Sequence, residues 1–201
     1  MCGRFQFSAK ENDELRRIIK DVSRRCGPYD MNFQMFGDVL PSHRTPVLVG
    51  RNDKVIAEIQ TWGIRNQYGK QMINARAETV TERPMFRRSI AAQRCVIPTS
   101  GFYEWDGAKH QYYFSLPGSP ALYLAGIYDY VDNINCFVIL TTAPNASMDG
   151  MHDRMPLVLQ REQVRPWLTD PIAAVELLAT TPPLLERVCM DGQIGLSEFI
   201  Q

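Results

Sequence analysis

A chain of 201 residues is long enough to bury one sizeable core and does not require a second, so residues 1–201 are expected to form one domain. Lysine plus arginine equals aspartate plus glutamate at 22 each, which excludes a uniformly basic nucleic-acid binder, and no run of about 18 apolar residues exists to span a membrane. The five cysteines, Cys2, Cys26, Cys95, Cys136 and Cys189, are scattered with no C-x-x-C and no paired histidine spacing, which argues against a disulfide framework or a zinc site.

In chain order, Met1-Cys2-Gly3-Arg4-Phe5 comes first. It lacks the apolar run of a signal peptide, so a cytoplasmic protein is expected. Cysteine is small enough for removal of the preceding methionine, which would leave Cys2 with a free α-amine two carbons from its thiol. Such a 1,2-aminothiol condenses with an aldehyde to an imine, which the sulfur closes into a five-membered thiazolidine. With an acyl group, the same thiol attacks the carbonyl while the amine serves as its base. The third reading is a buried, inert cysteine in an N-terminal strand.

Ser8 and Glu11 form a capping-box pattern ahead of Leu15, Ile18, Ile19 and Val22, whose spacing predicts an amphipathic helix closed by Gly27-Pro28. Strand signals follow at Pro46 to Val49 and Lys54 to Trp62, about a turn at Arg51-Asn52-Asp53. Others lie at Arg94 to Ile97, Tyr103-Glu104-Trp105, Gln111 to Leu116, Ala121 to Tyr128 and Cys136 to Thr142, with a hairpin at Asp106-Gly107. Short helices are predicted over Glu162 to Leu168 and Pro171 to Ala179. The pattern predicts an α+β fold in which short strands curl into a barrel-like mixed or antiparallel sheet with flanking helices.

Charge is unevenly spread along this order. Residues 61–110 carry eight basic against four acidic side chains, and residues 161–201 carry three against six. The central third therefore supplies either a face for a polyanion or a set of solvated surface charges.

Three internal segments carry further chemistry. In Ile73-Asn74-Ala75-Arg76-Ala77-Glu78-Thr79, an amide and a guanidinium two residues apart in an extended segment share a face, where they either hold an anion or a carbonyl together or form a structural pair. In Gly101-Phe102-Tyr103-Glu104-Trp105, apolar neighbours would raise the Glu104 pKa toward that of a working acid or base. Strand alternation also permits Glu104 to face outward with Tyr103 and Trp105 in the core. In Met151-His152-Asp153-Arg154-Met155-Pro156, a loop imidazole is either a proton carrier near neutrality or a satisfied structural group.

Together, Met1-Cys2-Gly3-Arg4-Phe5, Trp62-Gly63, Asn74-Ala75-Arg76-Ala77-Glu78-Thr79, Arg94-Cys95-Val96-Ile97-Pro98, Gly101-Phe102-Tyr103-Glu104-Trp105 and His152-Asp153-Arg154-Met155-Pro156 resemble one family in order and wording. This is the SOS-response-associated peptidase family, the SRAP domain of abasic-site processing proteins. The resemblance implies covalent capture of abasic sites in single-stranded DNA through a thiazolidine on Cys2 after Met1 removal. It assigns proton transfer to Glu104, sugar opening or phosphate contact to His152, and positioning of amine and sugar to Asn74. Arg4, Arg76, Arg87 and Arg154 would hold phosphates, and Arg4 with His152 would lower the Cys2 thiol pKa if close. Trp62, Tyr68 and Phe36 would stack on flanking bases, with core burial the alternative for Trp62. The resemblance implies a monomer with no metal or organic cofactor and no membrane partner, associated with the nucleoid when bound to DNA.

Two departures from the family pattern stand out. Residues 64–73 replace a longer loop, and Asp38 in Gly37-Asp38-Val39-Leu40-Pro41 stands where relatives carry Asn, bringing negative charge toward the expected DNA channel. The alternative functions are a cysteine peptidase that removes its own first residue or acts on other proteins, a non-covalent reader of single-stranded or modified DNA, and a glutamine amidotransferase with an N-terminal cysteine.

Overall fold

β-branched and aromatic residues fill the middle of the chain, and there the sheets form. The computed structural model describes residues 2–10, 12–25, 33, 36–131 and 133–191. Its elements begin with β1 (Phe5–Ser8), α1 (Asp13–Arg25), β2 (Phe36–Val39), β3 (Arg44–Arg51), β4 (Lys54–Trp62), β5 (Ile64–Arg65), β6 (Gln71–Met72), β7 (Asn74–Arg76) and α2 (Pro84–Ala92). They continue with β8 (Arg94–Thr99), β9 (Gly101–Trp105), β10 (Gln111–Ser115), β11 (Leu122–Val131), β12 (Ile134–Thr142), β13 (Met155–Pro156), β14 (Val158–Leu159), α3 (Arg161–Thr169), α4 (Pro171–Leu177) and β15 (Glu186–Cys189).

Five strands close on themselves. β12 pairs with β4 in parallel, and β4 with β3, β3 with β8, β8 with β11 and β11 with β12 are antiparallel, giving the small mixed barrel that the strand pattern predicts. The wall is tight at Gly126, where a Cβ would meet Ile97 Cδ1 at 2.6 Å and the Val138 carbonyl oxygen at 2.9 Å. A second, antiparallel sheet runs β15-β10-β9-β1-β2. The β3–β4 turn carries Asn52 and Asp53 at φ 49° and 59°, the left-handed pair that a two-residue hairpin needs.

α1 buries Leu15, Ile18 and Val22, each such burial stabilising by about 1.5–3 kcal/mol. Its cap differs from the predicted one. Asn12 Oδ1 accepts from the Glu14 and Leu15 N–H groups, whereas Ser8 ends β1 and its N–H donates to Ser100 Oγ. Glu11 and the Gly27-Pro28 closure lie outside the described residues. α4 starts as its sequence suggests, with Asp170 Oδ1 accepting from the Ile172 and Ala173 N–H groups and Pro171 in the first turn. No helix among the described residues is long and apolar enough to cross a membrane.

The two sheets meet at Trp62. Its ring centroid lies 5.0 Å from that of Phe5 in β1 and 6.3 Å from that of Phe137 in β12, and its indole N–H donates to the Ile73 carbonyl at 2.9 Å. Trp62 is fully buried. Of the two fates that the sequence leaves open to it, base stacking and core burial, the structure shows burial, since a ring enclosed on both faces with its donor satisfied presents nothing to a ligand.

Candidate functional site

The site lies where β1 of the second sheet abuts the barrel. The register Phe5↔Phe102 and Gln6↔Gly101, continued by the Tyr103 N–H donating to the Arg4 carbonyl at 3.0 Å, runs the N-terminal segment antiparallel to β9. Two further steps along this register bring Glu104 level with Gly3, against Cys2. On the other edge of β9, Gly101 permits the close approach of β10, because a Cβ there would lie 2.4 Å from the Phe114 carbonyl oxygen.

Alternation along β9 sends Phe102 and Glu104 to one face and Tyr103 and Trp105 to the other. Glu104 is only 4% exposed, so of the two faces open to it in the sequence it takes the inner one. Tyr103 and Trp105 instead flank Arg4, whose guanidinium carbon lies 5.9 Å and 5.3 Å from their ring centroids.

β7 supplies the third component. It pairs in parallel with β12, Asn74 opposite Ile139 and Arg76 opposite Thr141, and the buried Asn74 donates from Nδ2 to the Cys2 carbonyl at 2.9 Å. Asn74 Oδ1 is buried with no hydrogen-bond partner among the described residues. His152 comes from the loop between β12 and β13. Its Nδ1 lies 2.6 Å from Asp153 Oδ1 and 3.0 Å from the Arg154 main-chain nitrogen, so the ring is fixed through that nitrogen.

The electrostatics tie these groups together. Burial raises the Glu104 carboxyl above its ordinary value, opposed by positive charge that includes the His152 imidazole. The Cys2 thiol, 1% exposed, is pushed up by burial and then by the Glu104 carboxylate. The thiol is therefore raised and not lowered, the small opposing contribution of the Arg4 main chain being outweighed. Apart from its carbonyl, which the Cys2 thiol approaches at 3.8 Å, Arg4 is turned away toward Asp38, with Nη1 at 3.6 Å from Oδ2.

The remaining sequence candidates divide. Asn74 and Arg76 both line an open groove of about 790 Å³ between the β5–β6 hairpin and the start of α2, as their two-residue spacing predicts. Tyr68, 84% exposed, stands at the hairpin tip on the same groove. Its turn is organised by Asn66, whose Oδ1 accepts from the Tyr68 and Lys70 N–H groups. Phe36 is exposed on β2, away from this groove's lining. Arg87 is exposed on α2 but is not part of the lining.

Arg154 is committed elsewhere. Its fork donates to both Glu78 carboxylate oxygens at 2.8 Å and 2.7 Å and to the Thr141 carbonyl at 2.5 Å, so it braces β12 against the 77–79 turn. Arg65, Arg83, Phe86 and Asp129 line the groove and were not singled out from the sequence. The signal for Arg65 and Arg83 was the basic surplus of residues 61–110, and none marked Phe86 or Asp129.

Comparison with known proteins places the chain among relatives over most of its length. The sequence pattern of the family described as SOS response associated peptidase (SRAP) matches residues 1–188. Abasic site processing protein YoaM of Bacillus subtilis is 32% identical over 183 residues, covering 84% of this chain and 79% of that protein. Abasic site processing protein YedK of Escherichia coli is 30% identical over 186 residues, covering 88% and 83%. A crystal structure of a protein from Bacteroides thetaiotaomicron superposes with a TM-score of 0.74 at 28% identity, covering 95% of this chain and 93% of that one.

Proposed function

The chain belongs to the SOS response associated peptidase family, and we propose that it processes abasic sites in single-stranded DNA by covalent capture on Cys2 once Met1 has been removed. The single observation that carries this reading is the convergence of Cys2, Asn74 and Glu104. A buried amide grips the Cys2 carbonyl, and a buried carboxyl with a raised pKa acts on the Cys2 thiol.

In this reading the α-amine of Cys2, about 7.7–8.0 in pKa, is partly neutral at pH 7 and attacks C1′ of the ring-opened sugar. Glu104 delivers a proton to the departing hydroxyl, which leaves as water, and a protonated imine remains. The thiol adds to its carbon as the thiol proton passes to the Glu104 carboxylate. The C=N electron pair returns to nitrogen, which keeps its own hydrogen, and the neutral thiazolidine forms. Closure is intramolecular, and an effective concentration of about 10⁵–10⁸ M for well-aligned groups offsets the reluctance of a buried thiol to ionise. The same reluctance disfavours attack on an external peptide bond. Asn74 fixes the Cys2 main chain, His152 acts through Nε2 on the sugar or the adjacent phosphate, and Arg4 and Arg76 contact the backbone.

The test is a denaturing gel with intact-mass analysis after incubation with an oligonucleotide carrying one abasic site. The expected product is a stable adduct lacking Met1, absent from Cys2→Ala. A processed terminus with no adduct would rule the reading out.

A further inference from the structure

The groove beside Asn74 holds one feature that capture chemistry leaves unused. Asp129, half-buried on β11, lines it together with Met72, Met85, Phe86 and Val131. The exposed guanidinium-bearing residues Arg65, Arg76 and Arg83 also line it. Asp129 Oδ1 accepts from the Tyr130 N–H at 2.8 Å, the one hydrogen bond of its side chain among the described residues. A carboxylate held within an apolar lining and surrounded by phosphate-binding side chains presents acceptors where a nucleic-acid strand would have phosphates outside and a base inside.

The distance from the capture site suits this arrangement. Asp129 pairs with Cys136 on β12, and Asn74 pairs with Ile139 on the same strand. β11 and β7 lie on opposite edges of β12, so three residues of strand rise and two strand spacings separate the two positions, about 14 Å between backbones, a distance that the two side chains, a sugar and its neighbouring base together span.

We propose that the groove receives the nucleobase adjoining the abasic residue and that Asp129 reads its Watson–Crick edge, favouring guanine most and thymine least. Guanine presents two neighbouring donors, N1–H and the N2 amino group, to the two oxygens of one carboxylate. Cytosine and adenine present one amino group beside a ring acceptor that faces the second oxygen. Thymine sets two carbonyls around its single N–H, and both oppose the carboxylate. Phe86 and the methionines supply the apolar contact with the base plane.

This proposal rests on the abasic-site reading but is tested apart from the covalent step. Equilibrium binding of Cys2→Ala protein is measured on oligonucleotides with one abasic site, varying the base on its 5′ side and then on its 3′ side. On one side, guanine is expected to bind about fivefold or more tighter than thymine. Asp129→Asn in the same background replaces one acceptor by a donor at constant size, so its amide finds a donor–acceptor pair on every base, guanine N1–H and O6 included, and the guanine preference collapses to about twofold or less. A residue that only supports the β11–β12 hairpin would leave the preference as it was. Affinities within about twofold for all four bases on both sides, or a guanine preference unchanged by Asp129→Asn, would overturn the proposal. Absence of adduct in the wild-type protein overturns covalent capture alone.

Discussion

The side-chain amide of Asn74 donates to the main-chain carbonyl of Cys2 at 2.9 Å, tying a barrel strand to the segment that carries the reactive thiol. Its other end, Oδ1, is buried without a partner among the described residues, a state that is costly unless a donor arrives with the reaction. Asn74→Ala removes both functions. Asn74→Asp keeps the acceptor but sets a carboxylate against a carbonyl. Each is expected to slow adduct formation by about tenfold or more, read in single-turnover assays beside thermal melts. Full-rate capture by either variant would show that the contact only holds the fold.

Asp38 occupies the guanidinium of Arg4. The pair is 3.6 Å apart and both side chains are about one-third exposed, at 34% and 39%, so the pair itself is worth only about 0.2–1 kcal/mol. Arg4 Nε is buried with no acceptor among the described residues, so a phosphate would meet the part-exposed guanidinium through its terminal nitrogens, where Asp38 competes. Asp38→Asn is expected to tighten single-stranded DNA binding by about 1.5- to 5-fold and to steepen its dependence on log salt by up to about 0.7. Anisotropy titrations from low to physiological salt measure both. Unchanged affinity would place Arg4 off the DNA path.

The strands that the sequence announces are those with long alternating or continuous apolar runs, such as β4, β11 and β12, and the turns announced are those with a conformational requirement, such as Asn52-Asp53. β2 is invisible because Gly37, at φ 91°, and Asp38 have poor strand character and depend on pairing with β1. β15 carries only exposed residues, so no apolar periodicity marks it. α2 has Pro84 in its first turn but no side-chain cap, and its buried Phe86 and Ile90 are too few to declare a face. At the site, Cys2, Asn74 and Glu104 were legible as motif residues. Their convergence depends on a sheet register and a β7–β12 parallel pairing that local sequence does not encode. The commitment of Arg154 to Glu78 was hidden for the same reason, since the partners lie 76 positions apart.

Arg154 is expected to report on stability more than on DNA. Its fork satisfies Glu78 and Thr141 with only 13% of its side chain exposed, and lysine cannot reproduce a two-pronged contact. Arg154→Lys is expected to cost about 1–2 kcal/mol in urea unfolding while changing DNA affinity little. The Arg154 hydrogen bond holds the Glu78 carboxyl below its ordinary value. This contribution is therefore complete above the ordinary carboxyl range and is lost as pH falls through the lowered value, an effect reduced by the exposure of Glu78. A large loss of DNA affinity at unchanged stability would instead make Arg154 a phosphate contact.

Glu104 has the opposite linkage. Burial raises its carboxyl above the unfolded value of 4.5, so the native state holds the proton more tightly than the unfolded chain does. By linkage its contribution to stability falls as pH rises from the unfolded value through the folded one, and it is least favourable above the folded value, where the buried carboxyl has lost its proton. Glu104→Gln removes the ionisation while conserving shape. The variant should match the wild type near pH 4 and melt progressively higher than it toward pH 7, by about 2–4 °C for each kcal/mol released. Its adduct formation should be slower by about 10²-fold or more, the usual range for a lost general acid–base. A group retained at a cost to the fold and required for rate is a working group. If Glu104→Gln were less stable at every pH, the carboxylate would instead be a structural anchor, and proton transfer at Cys2 would have to fall to His152.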